Sequence, residues 1–253
     1  MTVTGVDGCA GGWVAVTLGP VGFSAAPAAP DVSLLAASPA RGPAPGPGSA
    51  VTAIAVRVTV AATLNELSLA GVTGIDMPLG LLAAGWRDAD VLARRALGRR
   101  GVTVFAIPPR PVWDCETYPE ANRTCKRLTG KGLSIQAWGL RRKIAEADEF
   151  RRAATAPDGV RLYEVHPELS FAAMAGAPLK DTKHTKVGVT IRRELLYQVG
   201  ITLPPKVAGA AEDDLLDAAA VAWSARRIAA SEAIVLTSPT QRADDGTEIA
   251  IRY

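Results

Sequence analysis

Cysteine and histidine are scarce in this chain: three and two residues in 253. Cys9, Cys115 and Cys125 are odd in number and form no C-x-x-C pair, which argues against a disulfide framework and a structural zinc site. His166 and His184 are too few for a histidine-rich centre. Any metal here must be held mainly by oxygen, and oxygen ligands select Mg2+ or Mn2+. Long apolar runs are also missing. Ala233 to Leu236 and Ile75 to Leu82 are far too short to span a bilayer, so no membrane partner is expected. The first residues carry no basic leader and reach an acid at Asp7, so no secretory signal is read and a cytoplasmic location is expected.

What is present suits a full apolar core: 48% of the residues are hydrophobic, which excludes global disorder. We expect a single domain over 1–253, a length that one large α/β domain accommodates. The net charge is unevenly placed. Arg87 to Lys143 holds 13 Lys+Arg against 5 Asp+Glu, a local +8 in a chain of total +3, so the remainder carries −5. Such a basic block beside an acidic remainder suits a polyanion binder with a carboxylate site, and equally suits a solvated arginine-rich helical face.

Val3–Val6 and Trp13–Leu18 have strand patterning and are joined by a glycine-rich bend at Gly8–Gly12. Residues 20–50 are Ala, Pro, Gly and Ser in bulk and form an irregular excursion. Val51–Val60 is a third strand, Thr63–Ala70 a short helix with Thr63 as its cap, and Val72–Asp76 a fourth strand stopped by Pro78. A basic helical insertion at 80–155 follows, with helices at Asp88–Arg100 and Ser134–Ala153 and an extended, proline-rich 105–113. Arg161–Val165 is a fifth strand, ending at Pro167. Val189–Val199 and Asp213–Ala230 are helices, the latter with acids in its first turn and Arg226-Arg227 in its last, matching the helix dipole. Ile234–Leu236 and Glu248–Ile251 add short edge strands. Three strands in a meander, then a crossover helix, give a mixed sheet with helices on both faces.

Two carboxylates end strands. Asp7 ends the first and Asp76, in "GIDMPLGL", the fourth. If these strands are parallel neighbours, both acids emerge at one sheet edge, where open α/β sheets place their sites. Asp-Gly is also a hairpin turn signal, so Asp7 is either a ligand or a residue that shapes the bend. In "EDDLLDAAAVAW", Asp214 and Asp217 share a helix face, with Asp213 nearby. Acids in the first turn are favoured by the dipole at ~0.3–1 kcal/mol each, but Asp217 lies a turn further in, among alanines. Burying a lone charge there would be very costly, and a cation is the simplest remedy. Converging carboxylates that hold one or two Mg2+ ions do the work of phosphodiester cleavage.

Together, "GVDGCAGGWV", "GIDMPLGL", "VFAIPPR", "YEVHPELSF" and "DDLLDAAAVAW" resemble an uncharacterised bacterial and archaeal family described as predicted nucleases of the ribonuclease-H-like fold, over about residues 3–252. The resemblance implies a five-stranded mixed sheet ordered 3-2-1-4-5, with strand 2 antiparallel. It also implies a distant relation to Holliday-junction resolvases, which carry an acid on strand one, an acid on strand four and D-x-x-D on the last helix. Asp7, Asp76, Asp214 and Asp217 match that order, with Asp where resolvases often have Glu on strand four. They are the expected ligands of Mg2+ or Mn2+. "YEVHPE" adds Glu164, to complete the metal shell or orient a water, and His166, to donate to a phosphate or leaving oxygen; each is otherwise an ordinary polar residue at a strand end. Arg110, Lys131, Gln136 and Lys186 are candidate contacts to a nucleic-acid backbone, or simply solvated. Trp13, Trp113 and Trp138 suit a core or lid better than base stacking.

The expected activity is therefore a metal-dependent nuclease or phosphodiesterase acting on nucleic acid, DNA or RNA undecided, with a homodimer as in junction resolvases a further possibility. One alternative is a nucleotide phosphotransferase or ATPase of the sugar-kinase and actin type. That fold needs a second Asp-Gly hairpin domain, and "ADDGTEIAI" comes too late to found one. The other alternative is a nucleic-acid-binding module that has lost its chemistry.

Overall fold

The computed structural model describes residues 1–20, 54–69, 71–153 and 159–253. The excursion expected at 20–50 lies outside the described residues, apart from Pro20, which closes a strand. The chain opens as an antiparallel hairpin of β1 (Val3–Cys9) and β2 (Gly12–Pro20), turning at Ala10 and Gly11. The bend is thus tighter than the expected Gly8–Gly12. Gly12 takes φ 144°, and a Cβ there would strike the backbone of Ala61 and Ala62.

Next, β3 (Ile54–Ala61) pairs antiparallel with β2, and β4 (Val72–Ile75) pairs parallel with β1. Between β4 and β5 (Arg161–Glu164) lies the expected insertion, with α1 (Asp88–Leu97), α2 (Tyr118–Thr129), α3 (Ile135–Gly139) and α4 (Arg141–Arg152). After β5 come α5 (Pro167–Ala175), α6 (Lys186–Gln198) and α7 (Glu212–Ala229), then β6 (Val235–Arg242) and β7 (Glu248–Arg252). The main sheet runs β3-β2-β1-β4-β5, with β2 antiparallel to its neighbours, as expected. Among the described residues no helix is long and apolar enough to cross a membrane.

Strand alternation sends Val3 and Cys9 of β1, with Val14, Val16 and Leu18 of β2, to one face, where they pack under α7. That helix is buried without interruption from Leu215 to Ala225. Val6, Trp13, Ala15 and Ile75 go to the other face, against Ile144, Ala147 and Phe150 of α4. Helices therefore cover both faces.

Several elements differ from expectation. The segment expected as a helix from Thr63 is only a 3-10 turn, Leu64–Glu66, and the Thr63 side chain makes no cap bond. Its backbone bonds to α4 instead: the Leu64 N–H donates to Glu146 Oε1 at 2.7 Å. The 88–100 helix stops at Leu97, where Gly98 (φ 54°) turns the chain into a 3-10 stretch to Thr103. Arg110–Val112 is also a 3-10 turn inside the segment expected to be extended. The 134–153 helix divides at Gly139-Leu140, glycine being a poor helix former. The helices α2 and α5 were not anticipated, because Pro119 and Pro167 suggest stops. Both stand in the first helical turn, where a missing N–H costs nothing. Finally, β6 and β7 form their own two-stranded sheet, joined to the main one among the described residues through a parallel bridge from Val165 to Arg252.

Candidate metal centre

Register brings the first two acids together. β1 and β4 align Gly5 with Gly74 and Val6 with Ile75, and the Asp76 N–H donates to the Val6 carbonyl at 2.9 Å, carrying the pairing one residue on. Asp7 and Asp76 then stand on the same face as the glycine pair, two residues beyond it. The glycines set the height of the third acid. A Cβ at Gly5 would land on the backbone of Ala218 and Ala222, and one at Gly74 would meet Val221 Cγ1 at 2.8 Å. Without those side chains α7 seats directly on the sheet and holds Asp217 over the two strand-end acids. One carboxylate oxygen from each of Asp7, Asp76 and Asp217 lies within 4.8 Å of the others.

Asp7 is not a turn residue. It pairs with Val14 in the ladder, upstream of the turn, and its Oδ1 accepts the Gly8 N–H at 2.7 Å. Asp7 and Asp217 are buried and Asp76 is half-buried. Burial, then repulsion from Asp76 and Asp217, raises the Asp7 carboxyl well above the usual carboxylate range. Burial and Asp217 push Asp76 up to about 8. Asp217 is raised by burial to about 6, opposed by Lys183, whose Nζ lies 2.5 Å from its Oδ2. Three acids thus converge against one ammonium, an arrangement that could hold a divalent metal.

Above the triad opens a cavity of about 260 Å³, lined by Asp7, Asp76, Asp214, Lys143, His166 and Lys183 among others. Residues 5–242 match the family described as "Protein of unknown function (DUF429)". The chain belongs to that family. No curated protein and no solved structure matches it.

The other expected site residues of this DUF429 protein fall into two groups. Asp214 lines the cavity but lies outside the triad; it is half-buried and adds to the repulsion on Asp7. Asp213 faces Lys183 at 3.8 Å and His184 Nδ1 at 3.5 Å. Glu164 also lines the cavity, yet its carboxylate is engaged elsewhere: Arg87 Nη2 donates to it at 2.6 Å and the Leu79 N–H at 2.7 Å. Arg87 is 1% exposed, so this is a buried ion pair that ties the start of the insertion to β5. Burial still lifts Glu164 to about 7 against the pull of Arg87. His166 lines the cavity with its Nε2 3.4 Å from the Thr103 carbonyl, and burial lowers its pKa, favouring the neutral ring.

Arg110 is taken up by acids of its own: Nη1 lies 2.8 Å from Asp148, and Nε pairs with Asp244. Lys131, Gln136 and Lys186 are exposed and none lines the cavity. The structure therefore does not bring these four to the triad. Trp13 is fully buried and donates to Glu146 at 3.0 Å, while Trp113 and Trp138 pack in a satellite core with α2 and α3.

Two lysines at the cavity were not singled out from sequence. Lys143 places its Nζ 4.6 Å from the centre of the Trp13 ring and donates to the Gly12 carbonyl. Lys183 comes from the loop "LKDTKHTK", whose cation density was the available signal.

Proposed function

We propose that this DUF429 protein is a divalent-metal-dependent nuclease or phosphodiesterase on a ribonuclease-H-like sheet. One observation carries the reading: three acids from three separate segments, Asp7 and Asp217 buried and Asp76 half-buried, bring a carboxylate oxygen each within 4.8 Å of the others, and Asp7 and Asp76 line one cavity. The donor set is all carboxylate oxygen, with more negative charge than its one lysine neutralises, and so fits Mg2+ or Mn2+. Asp7, Asp76 and Asp217 would hold the ion, with Asp214 beside it. When bound, the ion supplies Lewis-acid activation of water and phosphate.

The chain's own groups do the rest. Lys143, fixed by Trp13 and Gly12 at the cavity wall, offers an ammonium to a phosphate oxygen. His166, neutral and with Nδ1 buried and unpartnered, orients a water or a hydroxyl. Glu164 and Arg87 keep the wall rigid. Arg123, Lys126 and Arg127 on α2 are exposed, and among the described residues form no ion pair. They form one exposed basic stripe of the insertion, on a single helix, able to meet a nucleic-acid backbone.

The test is calorimetric Mn2+ titration of wild type, Asp7→Asn and Asp76→Asn at pH 8, followed by cleavage assays on labelled single-stranded, duplex and branched DNA and RNA. Wild type is expected to bind in the micromolar to millimolar range and to cut at least one substrate. Both variants should lose binding and cleavage. Variants that bind Mn2+ as wild type does would sink the reading.

A further inference from the structure

Lys183 stands where the charge balance of the triad is decided. Its side chain is 29% exposed and lines the cavity, with Nζ on Asp217 Oδ2 and a second, longer approach to Asp213 Oδ2 at 3.8 Å. Among the described residues, neither Asp7 nor Asp76 has an ion-pair partner of its own. The triad therefore has one resident cation, bound to one of its three members.

The loop that delivers this lysine is held at its backbone. Arg192 Nη1 donates to the Asp181 carbonyl at 3.1 Å. Thr185 Oγ1 donates to the Thr182 carbonyl at 3.0 Å while accepting the Gly188 N–H at 3.0 Å as the cap of α6. Gly188 is packed so closely on Thr182 that a Cβ would strike its carbonyl. The loop cannot shift easily, but the four-carbon stem of Lys183 can turn within the cavity without moving it. A divalent ion taken up by the triad would share Asp217 with the ammonium, and two cations on one buried carboxylate repel strongly at low dielectric.

We propose that Lys183 is the exchangeable counter-ion of the triad, occupying Asp217 in the metal-free protein and giving it up when a divalent cation enters. The inference rests on the metal-site reading above. It adds that metal uptake is a cation exchange. Apparent affinity is then reduced by the fraction of molecules in which the ammonium holds Asp217: if that is nine in ten, about tenfold.

The experiment compares wild type with Lys183→Met and Lys183→Gln at pH 8, by Mn2+ calorimetry and by thermal melting in EDTA and in saturating Mn2+. The expected result is about tenfold tighter Mn2+ binding in the variants. Their melting temperature should fall below wild type in EDTA and recover in Mn2+. Should both variants fail to fold, the wild type serves alone: lysine acylation, read by mass spectrometry, is expected to rise at Lys183 on adding Mn2+. Unchanged or weaker Mn2+ affinity, a melting deficit that persists in Mn2+, or unchanged acylation at Lys183 overturns the exchange and leaves a structural ion pair. Absence of Mn2+ binding in wild type and in both variants is a different failure, that of the metal-site reading itself.

Discussion

At the scale of single residues, the acids of the triad oppose the fold that holds them. Burial raises Asp7, Asp76 and Asp217, and repulsion from the other acids adds to it at Asp7 and Asp76, so the native state binds protons that the unfolded chain, with carboxylates near 3.9, has already released. A raised folded pKa stabilises below the unfolded value and loses that contribution as pH rises. The metal-free protein is therefore expected to lose stability as pH rises from about 4 through about 8, the value to which Asp76 is pushed, with Asp7 raised as well. Asp76→Asn should flatten the decline and raise stability at pH 8 by about 1–3 kcal/mol. Saturating Mn2+ should also flatten it in wild type. Urea denaturation in EDTA across that range checks this, and stability that is level or rising would contradict it. Asp217→Asn is expected to behave differently, because it strips Lys183 of its closest partner. The depressed carboxylates, Asp148 and Asp244 held down by arginines and Asp245 by Thr247 and then Arg151, act at lower pH and do not cancel the trend.

At the scale of elements, the site depends on how closely α7 approaches β1 and β4. Gly5 and Gly74 face each other across the ladder, and their missing side chains let the alanine stripe of the helix touch the sheet backbone. Gly5→Ala is expected to cost about 3 kcal/mol or more, since the added carbon meets backbone that cannot rotate away. It should also abolish Mn2+ binding by lifting Asp217 from its partners. Gly139→Ala is the control: a Cβ there meets open space, and the position is helical, so stability should rise by about 0.5–1 kcal/mol. Chemical denaturation of the two variants separates the cases; equal effects would remove the role assigned to the glycine pair. The buried Arg87–Glu164 pair shows the same dependence from the insertion side, holding Leu79 and β5 together at the cavity wall.

At the scale of the whole molecule, the basic block is divided by what its arginines touch. Arg87, Arg100 and Arg110 are taken up by Glu164, Glu168, Asp148 and Asp244, so the +8 of the sequence overstates the free charge. Arg123, Lys126 and Arg127 remain exposed on one helix. Replacing all three with alanine is expected to weaken nucleic-acid binding and to reduce the salt slope of log K by roughly one per residue that meets a phosphate, without lowering the melting temperature. Fluorescence anisotropy across a salt series measures this. An unchanged slope would place the partner elsewhere, or show that there is none.

The sequence by itself determined the strands of the sheet and the acids that end two of them, and the family resemblance of its motifs implied the sheet order. Strand alternation, the Asp after each apolar strand and the D-x-x-D of a dipole-matched helix are local signals, readable without knowing what packs on what. Asp7, Asp76 and Asp217 were therefore legible, and so was the insertion that interrupts the sheet. Only the tertiary structure decided which polar groups are occupied. Glu164 and Arg110 carry the same charge in sequence as free site residues do, yet each meets partners many tens of positions away. Lys183 lies 34 residues before Asp217 in a loop with no periodic signal, and only the packing of α6 and α7 brings it to the triad. Pairings at such separations depend on distances that chain order does not encode locally, so burial and partner, rather than residue type, divide ligand from scaffold here.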